Sequence, residues 1–261
     1  NLTWTIDREG TLTISGKGTM KNWGKSSDVS WYSYRNNILN VTIETGVTSI
    51  GNYAFYGCCE RLTSITIPDS VTSIGASAFE SCDALTYITI PDSVTSISNS
   101  AFNRCESLIS INVDSENEYY ASEGGVLFNK DKFIFNDKSI LIRYPEGKTA
   151  EEYVIPDSVT SIDKYAFYNC DALANITIPD SVTSIGHRAF ENCDALTSIV
   201  IPNSITSIGD YVFSDCDALA NITIPDSVTS IDWCAFYTCD NLTSINVDSE
   251  NKNYASEDGV L

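Results

Sequence analysis

The side chains in this 261-residue chain that most often carry chemistry are nine cysteines and a single histidine. Seven of the cysteines recur at intervals of 23 residues in two runs, namely Cys59, Cys82 and Cys105, and then Cys170, Cys193, Cys216 and Cys239. Zinc sites use close-spaced ligand pairs such as C-x2-C, which an interval of 23 does not supply. We therefore predict that these thiols hold no metal.

The same interval leaves two other roles open for the cysteines. If residues 23 positions apart stack at about 4.8 Å, their α-carbons come within disulfide range, but their side chains run parallel instead of toward each other. Distance alone does not exclude a bridge. We favour a column of buried thiols that pack as small apolar residues. Cys234 lies outside both runs, and we expect it to be the most exposed thiol.

The single histidine, His187, lies two residues before Ala189, at a position that varies along the chain. The equivalent positions hold Asn52, Ala76, Asn99, Lys164, Asp210 and Trp233. Such variety is typical of a surface residue and not of a general base. The sequence shows no P-loop, no G-x-G-x-x-G stretch and no Ser–His–Asp or Cys–His arrangement. We predict no catalytic residues, no cofactor and no enzymatic activity.

Aspartates form two further columns, one after the prolines and one mostly after the cysteines. The first column is Asp69, Asp92, Asp157, Asp180 and Asp226, and the second is Asp83, Asp171, Asp194, Asp217 and Asp240. Carboxylate oxygens are the ligands that Ca²⁺ prefers. However, the columns lack a dense D-x-D-x-D-G loop, and aspartate is also a common turn residue. We favour turn residues over a calcium site.

These columns follow from an internal repeat with a period of 23 residues. The phrase IPDSVTSI begins at Ile67, Ile90, Ile155, Ile178 and Ile224, with the variant IPNSITSI at Ile201 and the degenerate copy IETGVTSI at Ile43. The first unit carries one extra residue around Cys58 and Cys59. A fixed period of this length is the signature of a solenoid, a propeller or an array.

Each unit predicts a strand, a turn, a second short strand and one helical or 3-10 turn. The stretch LTSITI (62–67) alternates polar and apolar residues, which favours a strand with Ile65 and Ile67 inward. Pro68 cannot donate a ladder hydrogen bond and therefore ends the strand. One unit is too small to bury a core by itself. We therefore predict that equivalent positions stack in successive coils around a continuous core.

The repeated pattern I-P-x-S-V-T-S-I-G-x-x-A-F-x-x-C-x-x-L closely resembles the BspA-like family of bacterial leucine-rich repeats. The resemblance covers a first repeat block, 43–111, and a second repeat block, 155–246. It implies a leucine-rich repeat solenoid, which is a right-handed superhelix of mainly β structure. Family members are typically secreted by, or displayed on, anaerobic bacteria, where scarce oxidant would leave thiols reduced.

Other stretches resemble the segments that accompany this family. Residues 1–42 resemble its N-terminal cap, in which Trp4, Leu12, Ile14, Trp31 and Tyr34 would cover the first coil. Residues 112–154 resemble the β-hairpin unit that interrupts such arrays. Residues 247–261 are interpreted as the start of a second hairpin unit, because 245–261 repeat 111–127 almost letter for letter. We infer a fragment of a longer array and predict some end-to-end self-association through its open edge.

Charge and hydropathy narrow the classes of partner. The formal net charge of −20 disfavours binding to nucleic acid phosphates and to anionic lipid headgroups, because like charges repel. No run of about 18 apolar residues is present to span a bilayer. The sequence alone is compatible with a cytoplasmic protein or with one that has lost a leader. The resemblance implies a secreted or bacterial cell-surface location.

Outward strand positions are the candidate partner-binding surface. They are Ser64, Thr66, Tyr87, Thr89, Ser110, Asn112, Asn175, Thr177, Ser198, Val200, Asn221, Thr223, Ser244 and Asn246. Solenoids bind macromolecules through such extended surfaces. The alternative interpretation is that small polar residues only keep a β-face soluble.

The resemblance implies a non-enzymatic recognition or adhesion module. Its partner would be a host extracellular-matrix protein, a host receptor or another microbial surface protein. One alternative is a passive structural spacer within a longer surface protein. Another is a carbohydrate-binding module that uses Trp23, Trp31, Tyr32 and Tyr34, although these aromatic residues also suit the interior of the cap.

Overall fold

A computed structural model describes residues 1–58, 61–131 and 136–259 of the chain. They form two compact units, of which unit 1 is Asn1–Phe135 with Pro145–Gly147, and unit 2 is Asn136–Tyr144 with Lys148–Leu261. Both units are β-solenoids in which short strands pair with the equivalent strands of the next coil.

The described residues of unit 1 form eleven strands and two short 3-10 helices. The strands are β1 (Leu2–Ile6), β2 (Thr11–Gly16), β3 (Gly18–Thr19), β4 (Asn40–Ile43), β5 (Val47–Ile50), β6 (Ser73–Ile74), β7 (Tyr87–Ile90), β8 (Ser96–Ile97), β9 (Ser110–Val113), β10 (Tyr120–Glu123) and β11 (Val126–Asp131). The helices are Ser26–Asp28 and Tyr32–Asn37. Strand β1 pairs antiparallel with β2, and β10 pairs antiparallel with β11. The pairs β2–β4, β3–β5, β5–β6, β6–β8 and β7–β9 are parallel.

Ten strands lie in the part of unit 2 that the structure describes. They are β12 (Asn136–Arg143), β13 (Glu152–Val154), β14 (Ser161–Ile162), β15 (Asn175–Thr177), β16 (Ser184–Ile185), β17 (Ser198–Ile199), β18 (Ser207–Ile208), β19 (Asn221–Ile224), β20 (Ser230–Ile231) and β21 (Ser244–Val247). All of the pairings β12–β14–β16, β13–β15–β17, β18–β20 and β19–β21 are parallel.

Equivalent residues of successive repeats lie beside one another in neighbouring coils, which confirms the predicted solenoid stacking. In unit 1, β6 and β8 pair Ser73 with Ser96 and Ile74 with Ile97. In unit 2, β19 and β21 pair residues that are 23 apart, beginning with Asn221 and Ser244. The inward side chains alternate with outward ones along these strands, as the period-2 pattern predicts. Each isoleucine column therefore becomes part of a continuous apolar interior.

The proline turn shows why serine recurs in the phrase PDSV. The backbone N–H of Val182 donates to the carbonyl of Pro179 at 3.0 Å, which closes the predicted turn. The hydroxyl of Ser181 donates to the carbonyl of Val159 in the preceding coil at 2.7 Å. Ser93 in unit 1 makes the equivalent bond to Val71 at 2.7 Å. This serine column therefore fastens each coil to its predecessor.

The predicted helical or 3-10 turn is replaced by a chain of tight turns. In unit 2, Arg188 and Asn192 have φ of 59° and 58°, in the left-handed region, which interrupts any helix. The intervening N–H groups do not all bond along the chain, because Arg188, Phe190 and Asn192 donate to carbonyls of the next coil at 3.0–3.1 Å. Hydrogen bonds between stacked coils therefore replace those that a local helix would form.

Phenylalanine rings form a stacked column through each core. In unit 1, the ring of Phe79 lies 5.4 Å from that of Phe55 and 5.5 Å from that of Phe102. In unit 2 the column runs through Phe167, Phe190, Phe213 and Phe236, with centroids 5.0–5.8 Å apart. Tyr144 extends it, with its ring 5.5 Å from that of Phe167. The sequence did not reveal this tyrosine, because it lies in the atypical hairpin segment.

Aromatic residues of the first 42 positions cover the beginning of the unit 1 core. Trp31 is buried, donates its indole N–H to the carbonyl of Ala54 at 2.7 Å and packs 6.3 Å from Phe55. Trp23 is also buried and lies 5.3 Å from Trp31. Trp4 and Tyr34 form the outer part of this cluster, with their rings 6.0 Å apart. The two buried indoles therefore present no ring face to solvent.

The duplicated INVDSEN segments adopt the same local structure in the two units. In unit 1, Asn117 is fully buried, and its amide donates to the carbonyls of Pro91 and Val94 at 2.8 and 3.0 Å. In unit 2, Asn251 donates to the carbonyls of Pro225 and Val228 at 2.8 and 3.1 Å. A single asparagine thus docks each segment on the preceding proline turn.

Candidate interaction surface

The predicted strand face of unit 1 is formed by β7, β9 and the neighbouring stretch that contains Thr66. Tyr87 lies opposite Ser110, and Thr89 lies opposite Asn112. The ring of Tyr87 is 52% exposed although it belongs to a regular strand. Thr66 pairs with Thr42 across an isolated bridge, which extends the face toward β4. Ser64 and Ser110 are only half-exposed.

The strand face of unit 2 is formed by β13, β15, β17, β19 and β21. Asn175, Thr177, Ser198, Val200, Asn221, Thr223 and Asn246 are exposed, and Ser244 is half-exposed. Asn175 lies opposite Ser198, and Thr223 lies opposite Asn246. Val200 bridges to Thr223, so its side chain continues the same column. The outward residues therefore form aligned rows and are not scattered.

Two residues of this face were missed by the sequence reasoning. Glu152 and Val154 pair with Asn175 and Thr177, which places them in the same two rows. They precede Ile155 and Pro156 as the outward strand residues precede Ile-Pro elsewhere in the repeat. That alignment was available in the sequence, but it was hidden because the segment was assigned to the hairpin unit.

Hydrogen bonding separates this face from the other polar columns. Thr183 and Thr229, in the VTSI phrase, donate their hydroxyls to Thr160 and Thr206 of the preceding coil at 3.1–3.2 Å. In contrast, the hydroxyls of Thr177 and Thr223 on the strand face make no hydrogen bond within the described part of the chain. The VTSI hydroxyls therefore hold the coils together, whereas the hydroxyls of these two strand-face threonines are open to solvent. The strand-face hydroxyls of Ser110 and Ser198 donate to the side chains of Asn112 and Asn175.

The cysteine column is an internal feature. Cys82 and Cys105 in unit 1 donate their thiols to the carbonyls of Phe55 and Phe79 at 3.1 Å. In unit 2, Cys193 and Cys216 are free thiols that donate to Phe167 and Phe190 at 3.1 Å. Each of these thiols is buried. The predicted column of buried thiols is therefore present, and each sulfur has a backbone acceptor in the preceding coil.

The register of this column differs from the prediction at its first member. Cys58 is buried and follows Phe55 by three residues, as Cys82 follows Phe79. Because the two phenylalanines stack, Cys58 and not Cys59 occupies the column position. Cys59 itself lies outside the described residues. The extra residue of the first unit therefore follows the column position.

The electrostatics of the thiols disfavour reactivity. Burial is the main cause that raises the pKa of Cys193 and Cys216, and the pKa of the half-buried Cys239 is raised for the same reason. Thiols with raised pKa values remain neutral and are poor nucleophiles. Cys234 is partly exposed as expected, and interaction with its thiol raises the pKa of the Tyr211 phenol.

The aspartate columns lie at turns and do not converge on a metal site. Among the residues that the structure describes, no group of three His, Cys, Asp or Glu side chains is arranged to hold a metal ion. The pKa of Asp194 is raised by burial and then by repulsion from Asp217 and Asp215. These carboxylates therefore repel one another.

The remaining polar group that the sequence singled out is His187. It is exposed, and its Nδ1 lies 3.6 Å from Oδ2 of Asp210. This pair lies in the turns of unit 2 and not on the strand face. None of the helices in the described ranges is long and apolar enough to cross a membrane.

Comparison with known proteins identifies the repeat. A sequence profile described as the BspA type Leucine rich repeat region, in 6 copies, matches residues 27–125 and 146–257. A comparison with curated proteins gave no significant match.

Solved structures of bacterial proteins share the fold. A leucine-rich repeat protein from Eubacterium ventriosum is 31% identical, with a TM-score of 0.69, over 95% of this chain and 76% of the other. A leucine-rich cell surface protein from Faecalibacterium prausnitzii is 26% identical, with a TM-score of 0.56, over 94% and 86%. The pneumococcal vaccine antigen PcpA is 20% identical, with a TM-score of 0.67, over 95% and 80%, which shows the shared fold.

Leucine-rich repeat proteins typically act as non-catalytic scaffolds that mediate protein interactions. The profile match covers most of the chain. The chain belongs to the BspA-type leucine-rich repeat family.

Proposed function

We propose that this chain is a non-enzymatic recognition module that binds a protein partner through its outward strand rows. The partner would be an extracellular-matrix protein, a host receptor or another microbial surface protein. The single observation that carries the proposal is the exposure of apolar side chains in the outward strand rows. Val154 and Val200 in unit 2 are 68% and 79% exposed, and Tyr87 in unit 1 is 52% exposed.

These apolar residues favour binding over a purely solubilising face. Solubility requires only small polar residues at such positions, and threonine already fills many of them. Exposed tyrosine supplies contact area at low conformational cost and is enriched at interfaces. The strand-face threonines also retain unused hydroxyl groups, which are available to a partner. A passive spacer would need neither property.

The proposed location is the bacterial cell surface or the secreted fraction. It is supported by the relative from Faecalibacterium prausnitzii, which is described as a cell surface protein. The buried, hydrogen-bonded thiols are compatible with this location when oxidant is scarce. Fractionation of the source bacterium, followed by detection of the chain with an antibody, tests the location directly.

A binding screen tests the function. The purified chain is immobilised and exposed to a panel of matrix proteins, receptor ectodomains and glycans. We expect saturable binding to a protein that weakens at least about tenfold with Tyr87→Ala or Asn175→Ala, as expected for central interface residues. Tyr34→Ala is the matched control, because Tyr34 is 49% exposed in the cap and outside the strand rows.

The outcomes distinguish the three functions. Binding to a protein that Tyr34→Ala leaves intact and Tyr87→Ala weakens supports the recognition module. Glycan binding that depends on Tyr34 supports the carbohydrate alternative. No saturable binding across the panel, with all variants folded by circular dichroism, supports the spacer and refutes the proposal.

A further inference from the structure

An open groove lies on the VTSI strands of unit 1, on a different sheet from the strand rows. It extends over the sheet β3–β5–β6–β8, whereas β4 and the pair β7–β9 belong to other sheets. Its volume is about 460 Å³. Sites for small molecules typically enclose about 300–1,000 Å³, so the groove is large enough for a ligand of that class.

A row of hydroxyl groups runs along this groove. Thr19 pairs with Ser49, Ser49 with Ser73, and Ser73 with Ser96, and all four residues line the groove. Neighbouring strands of a sheet lie about 4.8 Å apart, so the hydroxyls recur at about that spacing from coil to coil. A small-residue row of this kind does not define a site, but one member of it has an unusual environment.

That member is Ser49, which is 9% exposed. The segment after β3 covers it, because the N–H of Met20 donates to the carbonyl of Ser49 at 3.4 Å. The same segment is held by Asn22, whose Oδ1 accepts from the N–H of Asn52 at 3.1 Å. Among residues 1–58, 61–131 and 136–259, the hydroxyl of Ser49 has no hydrogen-bond partner. Buried hydroxyls are nearly always bonded, so this one is available to a ligand in the groove that Ser49 lines.

The equivalent row of unit 2 has a different environment. The hydroxyls of Ser161 and Ser184 lie 2.7 Å apart and bond to each other. Ser184 and Ser207 are exposed, so water reaches them freely. A buried hydroxyl without a protein partner is therefore a property of the groove in unit 1 and not of the repeated serine as such.

An amide group adds a hydrogen-bond donor to the groove. Oδ1 of Asn52 accepts from the N–H of Ala76 in the next coil at 2.8 Å. Gly75 makes room for this contact, because a Cβ there would lie 2.5 Å from Oδ1 of Asn52. The bond fixes the orientation of the amide, and its Nδ2 has no bond to the described residues. Asn52 lines the groove, so this donor is available beside the hydroxyl row.

The chemistry of the lining favours a neutral ligand rich in hydroxyl groups. Although the chain has a formal net charge of −20, the described residues that line the groove include no Asp, Glu, Lys or Arg. An ionic ligand would lose hydration there without gaining a counter-charge. The spacing of the row is comparable to the distance between the O1 and O4 oxygens that link a sugar ring to its neighbours in a β-1,4-linked chain. Hydroxyls at this spacing can each contact one ring of such a chain.

We propose that the groove over Ser49, Ser73 and Ser96 binds a short neutral β-1,4-linked oligosaccharide that lies along the stack of coils. The unbonded hydroxyl of Ser49 and Nδ2 of Asn52 would provide the central hydrogen bonds. The site uses neither the strand rows nor the aromatic residues of the cap. It therefore does not depend on the proposed recognition of a protein partner.

Titration with short oligosaccharides, followed by saturation-transfer difference NMR on the full chain, tests this proposal. The probes are cellotriose and chitotriose, which are neutral and β-1,4-linked. The comparison probes are maltotriose, whose α-1,4 linkages curve the chain, and an uncharged peptide of alternating serine and glycine. We expect saturable binding of at least one β-1,4-linked probe, and weaker or no binding of both comparison probes.

Substitutions of matched serines locate the binding. Ser49→Ala/Ser73→Ala removes two groove hydroxyls and should weaken binding at least about fivefold, as the loss of two hydrogen bonds implies. Neither hydroxyl bonds within the described chain, so this variant should unfold at the same temperature as the parent chain. Ser207→Ala/Ser230→Ala removes a paired set from the same row of unit 2 and should change the affinity less than about twofold. Tyr34→Ala should have an equally small effect.

The proposal is overturned if neither β-1,4-linked probe binds saturably, or if maltotriose or the peptide binds as tightly as they do. Equal effects of the two serine pairs would also overturn it, because binding would then not be located in the groove. A lower unfolding temperature of Ser49→Ala/Ser73→Ala would contradict its premise, since it would show that these hydroxyls stabilise the fold.

Discussion

The replacement Phe190→Ala tests the stacked column on which both solenoid units depend. Phe190 is fully buried in unit 2. Its ring lies 5.0 Å from that of Phe167 and 5.4 Å from that of Phe213, and the interplanar angles are 13° and 7°. Alanine at this position would remove the contact with both neighbours and leave a cavity between two coils.

The expected cost follows from burial and from the number of neighbours. Truncation of a buried phenylalanine to alanine costs about 3–5 kcal/mol. Phe190 belongs at the upper end of that range, because two aromatic pairs worth about 0.5–1.5 kcal/mol each are lost together. Phe236 is half-buried and has one stacked neighbour, Phe213, at 5.8 Å. We therefore expect Phe236→Ala to cost about 1–2 kcal/mol.

Urea unfolding followed by circular dichroism measures both costs. The free energy of unfolding is compared only where the m-value is unchanged, because repeat proteins can lose two-state behaviour. A result in which Phe236→Ala costs as much as Phe190→Ala would refute the reasoning. It would mean that ring stacking between coils contributes little, and that local contacts within each coil hold the column.

Three further predictions concern glycine positions at which the packing between coils differs, and the buried thiols. We expect Gly186→Ala to destabilise the chain by about 1–3 kcal/mol, because its Cβ would lie 2.5 and 2.7 Å from backbone atoms of the preceding coil. The equivalent Gly209→Ala should be nearly neutral in thermal unfolding, since the nearest atom lies at 3.5 Å, and equal effects would contradict the stacking geometry. Among the three thiols Cys193, Cys216 and Cys234, we expect a thiol reagent to label Cys234 alone in the folded chain, as read by mass spectrometry. Burial raises the pKa of Cys193 and Cys216 in the folded chain above the ordinary value of 9.0. Above that pH, the unfolded chain therefore binds fewer protons than the folded chain does. Stability should therefore fall as the pH rises above about 9, and an unchanged urea midpoint between pH 8 and pH 10 would contradict the burial of these groups.

The repeat could be predicted in detail because stacking imposes the same requirement on every coil. Val182, Phe190 and Leu196 recur every 23 residues in closely similar form, since each must fit between its copies above and below. The proline turn was predictable for a local reason, because proline cannot donate and aspartate and serine favour turns. The cap was predicted from its resemblance to the family and from its aromatic residues, of which Trp31 is buried against the first coil.

The turn after each VTSI phrase could not be predicted correctly from local propensity. The spacing of Ala189, Phe190 and Cys193 suggested one helical turn. That spacing is compatible with either a helix or successive tight turns, because both direct the three side chains inward. The left-handed residues Arg188 and Asn192 are stabilised by bonds to the next coil, which a single repeat does not contain.

The sequence by itself therefore determined which residues of the repeats form the interior of this protein, because the columns of the repeat core recur with a 23-residue period. Only the tertiary structure decided what the outward polar residues do. Threonine occurs both in the VTSI phrase and at the outward strand positions, so the sequence does not distinguish the two roles. In the structure, the hydroxyl of Thr183 donates to the preceding coil, whereas that of Thr177 does not. The hydroxyl of Thr183 meets the carbonyl of Thr160 only because successive coils lie close enough for a side chain of one repeat to reach the backbone of another.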